Sequence, residues 1–268
     1  MFSEFHHPLL SWILDHLLVT FHEYIFIALV IIVAYTLLTM VNFETSLLAA
    51  PFLAIHTSVA NTIPILTLLD FKGVILNIIH GYKGANFKEL FIILPFTAVG
   101  AFVGVALLIA LPPTLAVISL AIFILTVAAL SFIGYRPFPN LTPWMCIPFG
   151  LFGGFFSGLF GSGQLTYFLY MHSRIPSKEE AIATTNLLIN ANTILRAIFF
   201  LIAGTYFNIP LLVTAALLYP PMVVGVFIGR MLHTKMPSET LSRIINILIF
   251  IAGIILLIHL FLQLMHWI

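Results

Sequence analysis

Two cations interrupt long apolar stretches of this chain, and their surroundings match. Asn61 precedes Lys72 by 11 residues, and Thr185 precedes Arg196 by 11. Eleven residues is close to three helical turns, so each pair shares a helix face. The two pairs are offset by 124 positions, and Asn192 lies four before Arg196 on the same face. Charge buried at membrane depth is expensive and marks a functional site by default. Two cations facing one polar cavity would hold a small anion. Thr184, Thr185, Asn186, Asn190 and Asn192 crowd one apolar stretch, and Asn61, Thr62, Asp70 and Asn77 the other. Their hydroxyls and amides either bind an anion's oxygens or hold helices together, at about 0.6 kcal/mol per contact. For the cations themselves the alternatives are snorkelling to the headgroups or pairing with Asp70 or Glu44. These two acids are also the candidates for carrying a coupled proton.

A second kind of chemistry is offered by Gly150–Gly163, which reads Gly-Leu-Phe-Gly-Gly-Phe-Phe-Ser-Gly-Leu-Phe-Gly-Ser-Gly before Gln164. Gly158, Gly161 and Gly163 free the backbone to break. A half-helix starting near Gln164 would then aim its positive N-terminal end at the break, an anion-binding arrangement. Breaks of this kind are tolerated in a membrane only when buried in protein or lining a cavity. The counterpart in the first half is Asn42-Phe43-Glu44-Thr45-Ser46, where Thr45 and Ser46 could cap a half-helix.

The elements that must position these residues follow from composition. Of 268 residues, 62% are hydrophobic and 7% are charged, against roughly 25% charged in soluble domains. That excludes a soluble globular enzyme, and the 26 Phe exclude disorder. The unbroken apolar runs exclude a β-barrel. Ten Lys and Arg against nine Asp and Glu leave the chain near neutral, so no nucleic-acid partner is implied. The single cysteine, Cys146, excludes an internal disulfide framework and a Cys-rich metal site. The histidines lie mostly near span ends with no His-x-x-x-His pair. No cofactor is expected, and an intramembrane enzyme is disfavoured for want of a paired nucleophile and base.

A transmembrane helix needs about 20 apolar residues. Apolar segments run near 24–41, 44–56, 58–80, 88–110, 114–134, 143–160, 163–173, 177–203, 209–232 and 238–265. Leu111-Pro112-Pro113 cannot continue a helix, and Ser177-Lys178-Glu179-Glu180 reads as a capping box. Residues 1–23 lack Lys and Arg, which argues against a signal peptide and leaves Pro8 to Val19 as an interfacial helix. Segments 44–56 and 163–173 are too short for ordinary spans. If each continues the preceding helix, there are eight spans and the loop cations divide between both faces. If each turns back, Lys83, Lys88, Arg136, Arg174, Lys178, Arg230, Lys235 and Arg243 all fall on one face. The positive-inside rule favours the second arrangement, with both termini outside the cytoplasm.

Val99-Gly100-Ala101-Phe102-Val103-Gly104 recurs as Val224-Gly225-Val226-Phe227-Ile228-Gly229, an offset of 125. Each copy follows a proline, Pro95 or Pro220-Pro221. The expected class is therefore an all-α polytopic membrane protein of two inverted repeats, each of four full spans plus a short broken or re-entrant segment. The layout is an N-terminal interfacial segment 1–23, a first repeat 24–135, a linker 136–142 and a second repeat 143–268.

The run Gly154-Phe155-Phe156-Ser157-Gly158-Leu159-Phe160-Gly161-Ser162-Gly163 resembles the sulfite exporter TauE/SafE family pattern Gly-x-x-Ser-Gly-x-x-Gly-x-Gly-Gly-Gly. Ala181-Ile182-Ala183-Thr184-Thr185-Asn186 resembles the family's next helix, and the later Gly-x-x-x-Gly helix matches too. Gln164 and Leu165 replace the last two glycines, Tyr170 replaces a proline, and in the first half only Pro51 remains recognisable. The resemblance implies export of small sulfur oxyanions and organosulfonates such as sulfite and sulfoacetate. The residues alone indicate a small anion. The expectation is a secondary transporter working by alternating access. It would sit in the bilayer of a bacterial inner membrane, alone or as a homo-oligomer, with an anion channel or a non-transporting membrane subunit as the rival. Its expected substrate residues are Lys72, Arg196, Asn61, Thr62, Thr185, Asn186, Asn192, Gly161, Gly163 and Gln164, with Asp70 and Glu44 for proton coupling.

Overall fold

A computed structural model of the chain describes residues 18–41, 45–80, 84–133, 141–232 and 238–265. Its helices are α1 (Phe21–Val41), α2 (Ser46–His56), α3 (Val59–His80), α4 (Phe87–Ala110) and α5 (Pro113–Ile133), then α6 (Cys146–Phe160), α7 (Gln164–Arg174), α8 (Lys178–Ile202), α9 (Ile209–Leu232) and α10 (Ser238–Met265). Short 3-10 turns at Pro143–Met145 and Thr205–Phe207 precede α6 and α9, and no strand occurs among the described residues. The expected interfacial helix lies outside the described residues except for its last two positions. Glu44 and the Arg136–Asn140 link also lie outside them.

The helix ends obey local chemistry. Asn86 Oδ1 accepts the Glu89 N–H at 3.1 Å and opens α4. Ser177 Oγ accepts the Glu180 N–H at 3.4 Å and opens α8, as the capping-box pattern predicts. Pro112 stops α4, and Gly161 closes α6 with φ +76°, a left-handed conformation that costs a side-chain-bearing residue energy. Among the described residues, six helical stretches are long and apolar enough to cross a membrane, including Phe87–Ala110, Lys178–Ile202 and Ile209–Leu232. Shorter apolar stretches occur at Phe21–Leu37, Ser46–His56 and Val59–Phe71.

The surface is apolar and the interior partly polar. Phe91, Phe102, Ile202, Phe227 and Phe261 point outward, whereas Ser46, Thr62, Ser157, Asn192 and Arg196 are buried. Lipid tails are a good solvent for the first group and none for the second, which must find partners within the bundle.

Both short helices turn back on the helix before them. His56, the last residue of α2, meets Glu23 in the first turn of α1 at 3.0 Å. Arg174, the last residue of α7, donates to the Leu141 carbonyl just ahead of α6 at 3.1 Å. Tyr170 likewise lies against Phe149, with ring centres 6.0 Å apart. Two helices in line could make none of these contacts.

The two most extensive helix pairs are α4 on α6 and α1 on α9. In the first, both partners present glycine: a methyl group on Gly100, Gly104, Gly154 or Gly158 would strike a backbone carbonyl of the facing helix. Backbones that close gain dispersion contacts, the main attraction left between helices in lipid. In the second pair only α9 supplies glycines, Gly225 and Gly229, which rest on Ile32, Tyr35, Thr36 and Thr39 of α1. Thr36 Oγ1 also donates to the Gly225 carbonyl at 3.1 Å. The recurring glycine motif thus serves helix packing at both of its copies.

Candidate functional site

The two backbone breaks meet inside the bundle. Helices α2 and α7 each have 11 residues, about 16 Å at 1.5 Å per residue. Each thus spans about half of a ~30 Å hydrocarbon core. Each begins at depth and ends toward one face, so both positive N-terminal ends lie in the middle of the protein. Gly161, at the end of α6, touches the start of α2: a methyl group there would strike Ser46 Oγ. The same methyl would lie 3.3 Å from Arg196 Nη1.

Arg196 is 2% exposed, well inside α8. Its Nη1 donates to the Ser157 carbonyl at 3.0 Å and lies 3.3 Å from Ser157 Oγ. Its Nη2 faces Asp70 Oδ2 of α3 at 3.7 Å, an ion pair too long for a hydrogen bond. Asp70 is anchored from the other side. Its Oδ1 accepts the Tyr35 hydroxyl at 2.7 Å and the Thr45 hydroxyl at 3.3 Å. Five segments therefore converge here: α1 through Tyr35, the start of α2 through Thr45 and Ser46, α3 through Asp70, the end of α6 through Ser157 and Gly161, and α8 through Arg196.

Three buried polar atoms at or near this cluster have no protein partner: Arg196 Nε, Ser46 Oγ and Asn192 Oδ1. Buried polar groups are normally satisfied, and each exception asks for an explanation. Asn192 lies one turn before Arg196 on α8, about 6 Å along its axis. The unpaired guanidinium N–H and the Ser46 hydroxyl, beside two helix N-termini, are donors that can hold a small anion, whereas Asn192 can offer one only its amide N–H groups, Oδ1 being an acceptor.

Of the residues expected from sequence, Arg196, Asp70 and Gly161 come together, with Asn192 next to them and Gly163 and Gln164 at the same break. The glycines divide the work. Gly161 supplies the left-handed turn, while Gly163 has φ −122° and is small because the Gly153 carbonyl and the Tyr167 ring leave no room. The remaining residues lie elsewhere. Thr185 Oγ1 back-bonds to the Ala181 carbonyl at 2.8 Å, and its position is about 16 Å along α8 from Arg196. Asn186 is half-buried beside it. Asn61 and Thr62 occupy the first turn of α3, where the Thr62 hydroxyl pairs with that of Thr57 at 2.9 Å. Asp70 follows Asn61 by nine residues, about two and a half turns, so the two project from opposite sides of α3. The side chain of Lys72, and the whole of Glu44, lie outside the described residues.

Ser157, Thr45, Ser46 and Tyr35 are the site residues that sequence reasoning left out of its binding set. Ser157 sits inside the glycine-rich run and Ser46 beside the first break, so position was the available signal. Nothing in the sequence marks Tyr35, which reaches Asp70 only through the packing of α1. A second polar cluster was also unforeseen. Glu89 of α4 takes Arg174 Nη2 at 2.6 Å and the Tyr170 hydroxyl at 3.0 Å. Beside it, Asn86 Nδ2 donates to Glu180 at 2.8 Å. Its signal was Asn86-Phe87-Lys88-Glu89, a helix-opening pattern like the one recognised at Ser177.

The family described as Sulfite exporter TauE/SafE matches residues 27–256, and the chain belongs to that family. No curated protein and no solved structure matches the chain. The chain is thus an integral membrane protein of a transporter family.

Proposed function

We propose that this chain is a secondary transporter that exports a small sulfur oxyanion or organosulfonate, such as sulfite or sulfoacetate, by alternating access. One observation carries the reading. Arg196 is a guanidinium 2% exposed, lying between the N-terminal ends of two half-helices and keeping one N–H unpaired. A fixed cation in low dielectric strongly favours an anion beside it. Arg196 neutralises the anion, while Ser46, Asn192 and the backbone at Gly161, Gly163 and Gln164 bind its oxygens. Thr185, Asn186 and Lys72 serve the route on the cytoplasmic side of this point, and Asn61 and Thr62 on the outer side.

The alternating-access part rests on symmetry of the fold. Taking 24–135 and 143–265 as repeats, α4 packs on α6 and α9 on α1, so each repeat lays its fourth helix on the first helix of the other. Following the crossings, α1 starts at the face where Glu23 meets His56, and α6 starts at the face where Arg174 meets Glu89. This supports a reading in which the repeats run in opposite directions, as in inverted-repeat carriers. Lys88, Arg174, Lys178, Arg230 and Arg243 all fall at the Glu89 face, which supports reading that face as cytoplasmic and the termini as outside.

The test is flux. In reconstituted vesicles the intact chain should release labelled sulfite or sulfoacetate and accelerate exchange when unlabelled anion is present on the far side. Arg196→Ala should abolish both while the protein still inserts. Unchanged flux in that variant overturns the assignment of the site, and flux without accelerated exchange indicates a channel.

A further inference from the structure

The guanidinium of Arg196 is not equally engaged on all sides. Nη1 is bound to Ser157 by a hydrogen bond of 3.0 Å. Nε has no partner, and Nη2 has only the Asp70 contact at 3.7 Å. The Nε–Nη2 edge is the side-on fork of arginine, two parallel N–H groups spaced to take two oxygens of one carboxylate, sulfonate or phosphate. Here that fork is buried and nearly empty. Asp70 is the only carboxylate within 4.0 Å of Arg196 among the described residues, and it approaches with one oxygen only. Its other oxygen is already taken by Tyr35 at 2.7 Å and Thr45 at 3.3 Å.

We infer that the Nε–Nη2 edge of Arg196 is an oxyanion fork on which Asp70 sits as a tethered stand-in, and that an incoming oxyanion displaces Asp70, which takes up one proton as it lets go. The inference rests on the transport reading above and deepens it. The exchange is small in movement: one long contact breaks, Arg196 stays fixed through Ser157, and Asp70 stays fixed through Tyr35 and Thr45. Ser46 Oγ, unpartnered and beside Gly161, supplies a further donor to the bound anion.

The proton follows from charge count. The empty site holds one guanidinium and one carboxylate and is neutral. Adding a singly charged oxyanion with Asp70 still ionised would bury a net negative charge, which a low-dielectric interior resists. One proton from the water on the open side restores the balance, and the protonated carboxyl then donates a hydrogen bond of its own. The groups facing Asp70 allow this. Among the described residues, Tyr35 on α1 and Arg196 on α8 are its titratable neighbours, with Tyr206 beyond Arg196. Helix α5 brings no titratable side chain. Tyr219 of α9 points outward, and His56, Lys88 and Glu89 lie at helix ends. Loading the anion with a proton makes the charge moved per cycle smaller than that of the anion alone.

Binding measured by calorimetry on the purified full chain tests this, with methanesulfonate as the probe because it is a singly charged anion that does not titrate between about pH 5 and 8. The intact protein should take up about one proton per anion, read as a dependence of the heat on the buffer's ionisation enthalpy. Its affinity should fall by up to about tenfold per pH unit on the alkaline side. Asp70→Asn should bind at least as tightly, with no proton uptake and no pH slope. An intact protein that binds without proton uptake overturns the inference and leaves the transport reading standing, as does an Asp70→Asn protein with the original slope. An intact protein that does not bind the probe at any pH overturns both. The proton count needs no variant, so a misfolded Asp70→Asn protein would not spare the inference.

Discussion

The Arg196–Asp70 and Arg174–Glu89 pairs use the same functional groups in two parts of one bundle. In each, the carboxylate also accepts a tyrosine hydroxyl, Tyr35 at 2.7 Å and Tyr170 at 3.0 Å. In each, one guanidinium nitrogen bonds a backbone carbonyl, of Ser157 or of Leu141. They differ in the remaining contact: Arg174 Nη2 is 2.6 Å from Glu89, and Arg196 Nη2 is 3.7 Å from Asp70. Helix position accounts for part of the difference. Arg174 ends α7 and Glu89 lies in the first turn of α4, so each dipole favours the charge placed there. Arg196 lies among the N-terminal ends of α2 and α7, where the same dipoles oppose a cation and favour an anion. Nε is buried and unpartnered in both arginines; the first pair is closed by a short contact, and the second holds its carboxylate at a longer one beside two helix N-termini. An arginine–carboxylate contact is therefore not one kind of object: its surroundings set how tightly it closes, and the looser one is here proposed as a receptor.

The largest test of this contrast is the same substitution at both places. Arg196→Lys keeps the charge and loses the fork, and should lower anion flux by about 100-fold. Arg174→Lys can still reach Glu89 as a point charge and should change flux per folded molecule by no more than about threefold. Equal losses in vesicle flux would erase the distinction. Next in size is Gly161→Ala, which puts a side chain at φ +76° and against Ser46 and Arg196. Strain of about 1–2 kcal/mol is expected, seen as lower thermal stability together with weaker anion binding. Stability loss with unchanged binding would remove Gly161 from the site. The smallest effect belongs to Tyr170→Phe, which deletes one hydrogen bond to Glu89. About 1 kcal/mol of stability should be lost with flux unchanged, because Arg174 continues to hold the carboxylate.

The helices were legible almost to their ends. The apolar run read as 209–232 is α9, Ile209–Leu232, and that read as 238–265 is α10, Ser238–Met265. Lipid makes this possible: every backbone group must be satisfied inside its own segment, so apolar length and proline or glycine punctuation suffice. The short segments were legible as breaks, and the distribution of loop cations already favoured their turning back, as they do. Arg196 was legible because a cation in an apolar run has few innocent explanations. Its partner was harder. Helical periodicity linked Asn61 with Lys72 and Thr185 with Arg196, whereas the residue that meets Arg196 is Asp70, on the opposite side of α3 from Asn61. Tyr35, Ser46 and Ser157 carry no such mark, since a tyrosine or serine in a membrane helix is common and becomes a site residue only through what it touches.

Composition and local pattern thus determined what this chain is made of: a membrane bundle, its helices, its two breaks and a cation, Arg196, placed deep in an apolar helix. These depend on residues near one another in sequence, through backbone hydrogen bonding and transfer into lipid. Which carboxylate faces that cation, how closely, and which edge of the guanidinium is left open were decided by tertiary structure. Those outcomes depend on distances between five separately folded segments, set by the approach of α4 to α6, the packing of α1 on α9 and the meeting of two broken helices at Gly161.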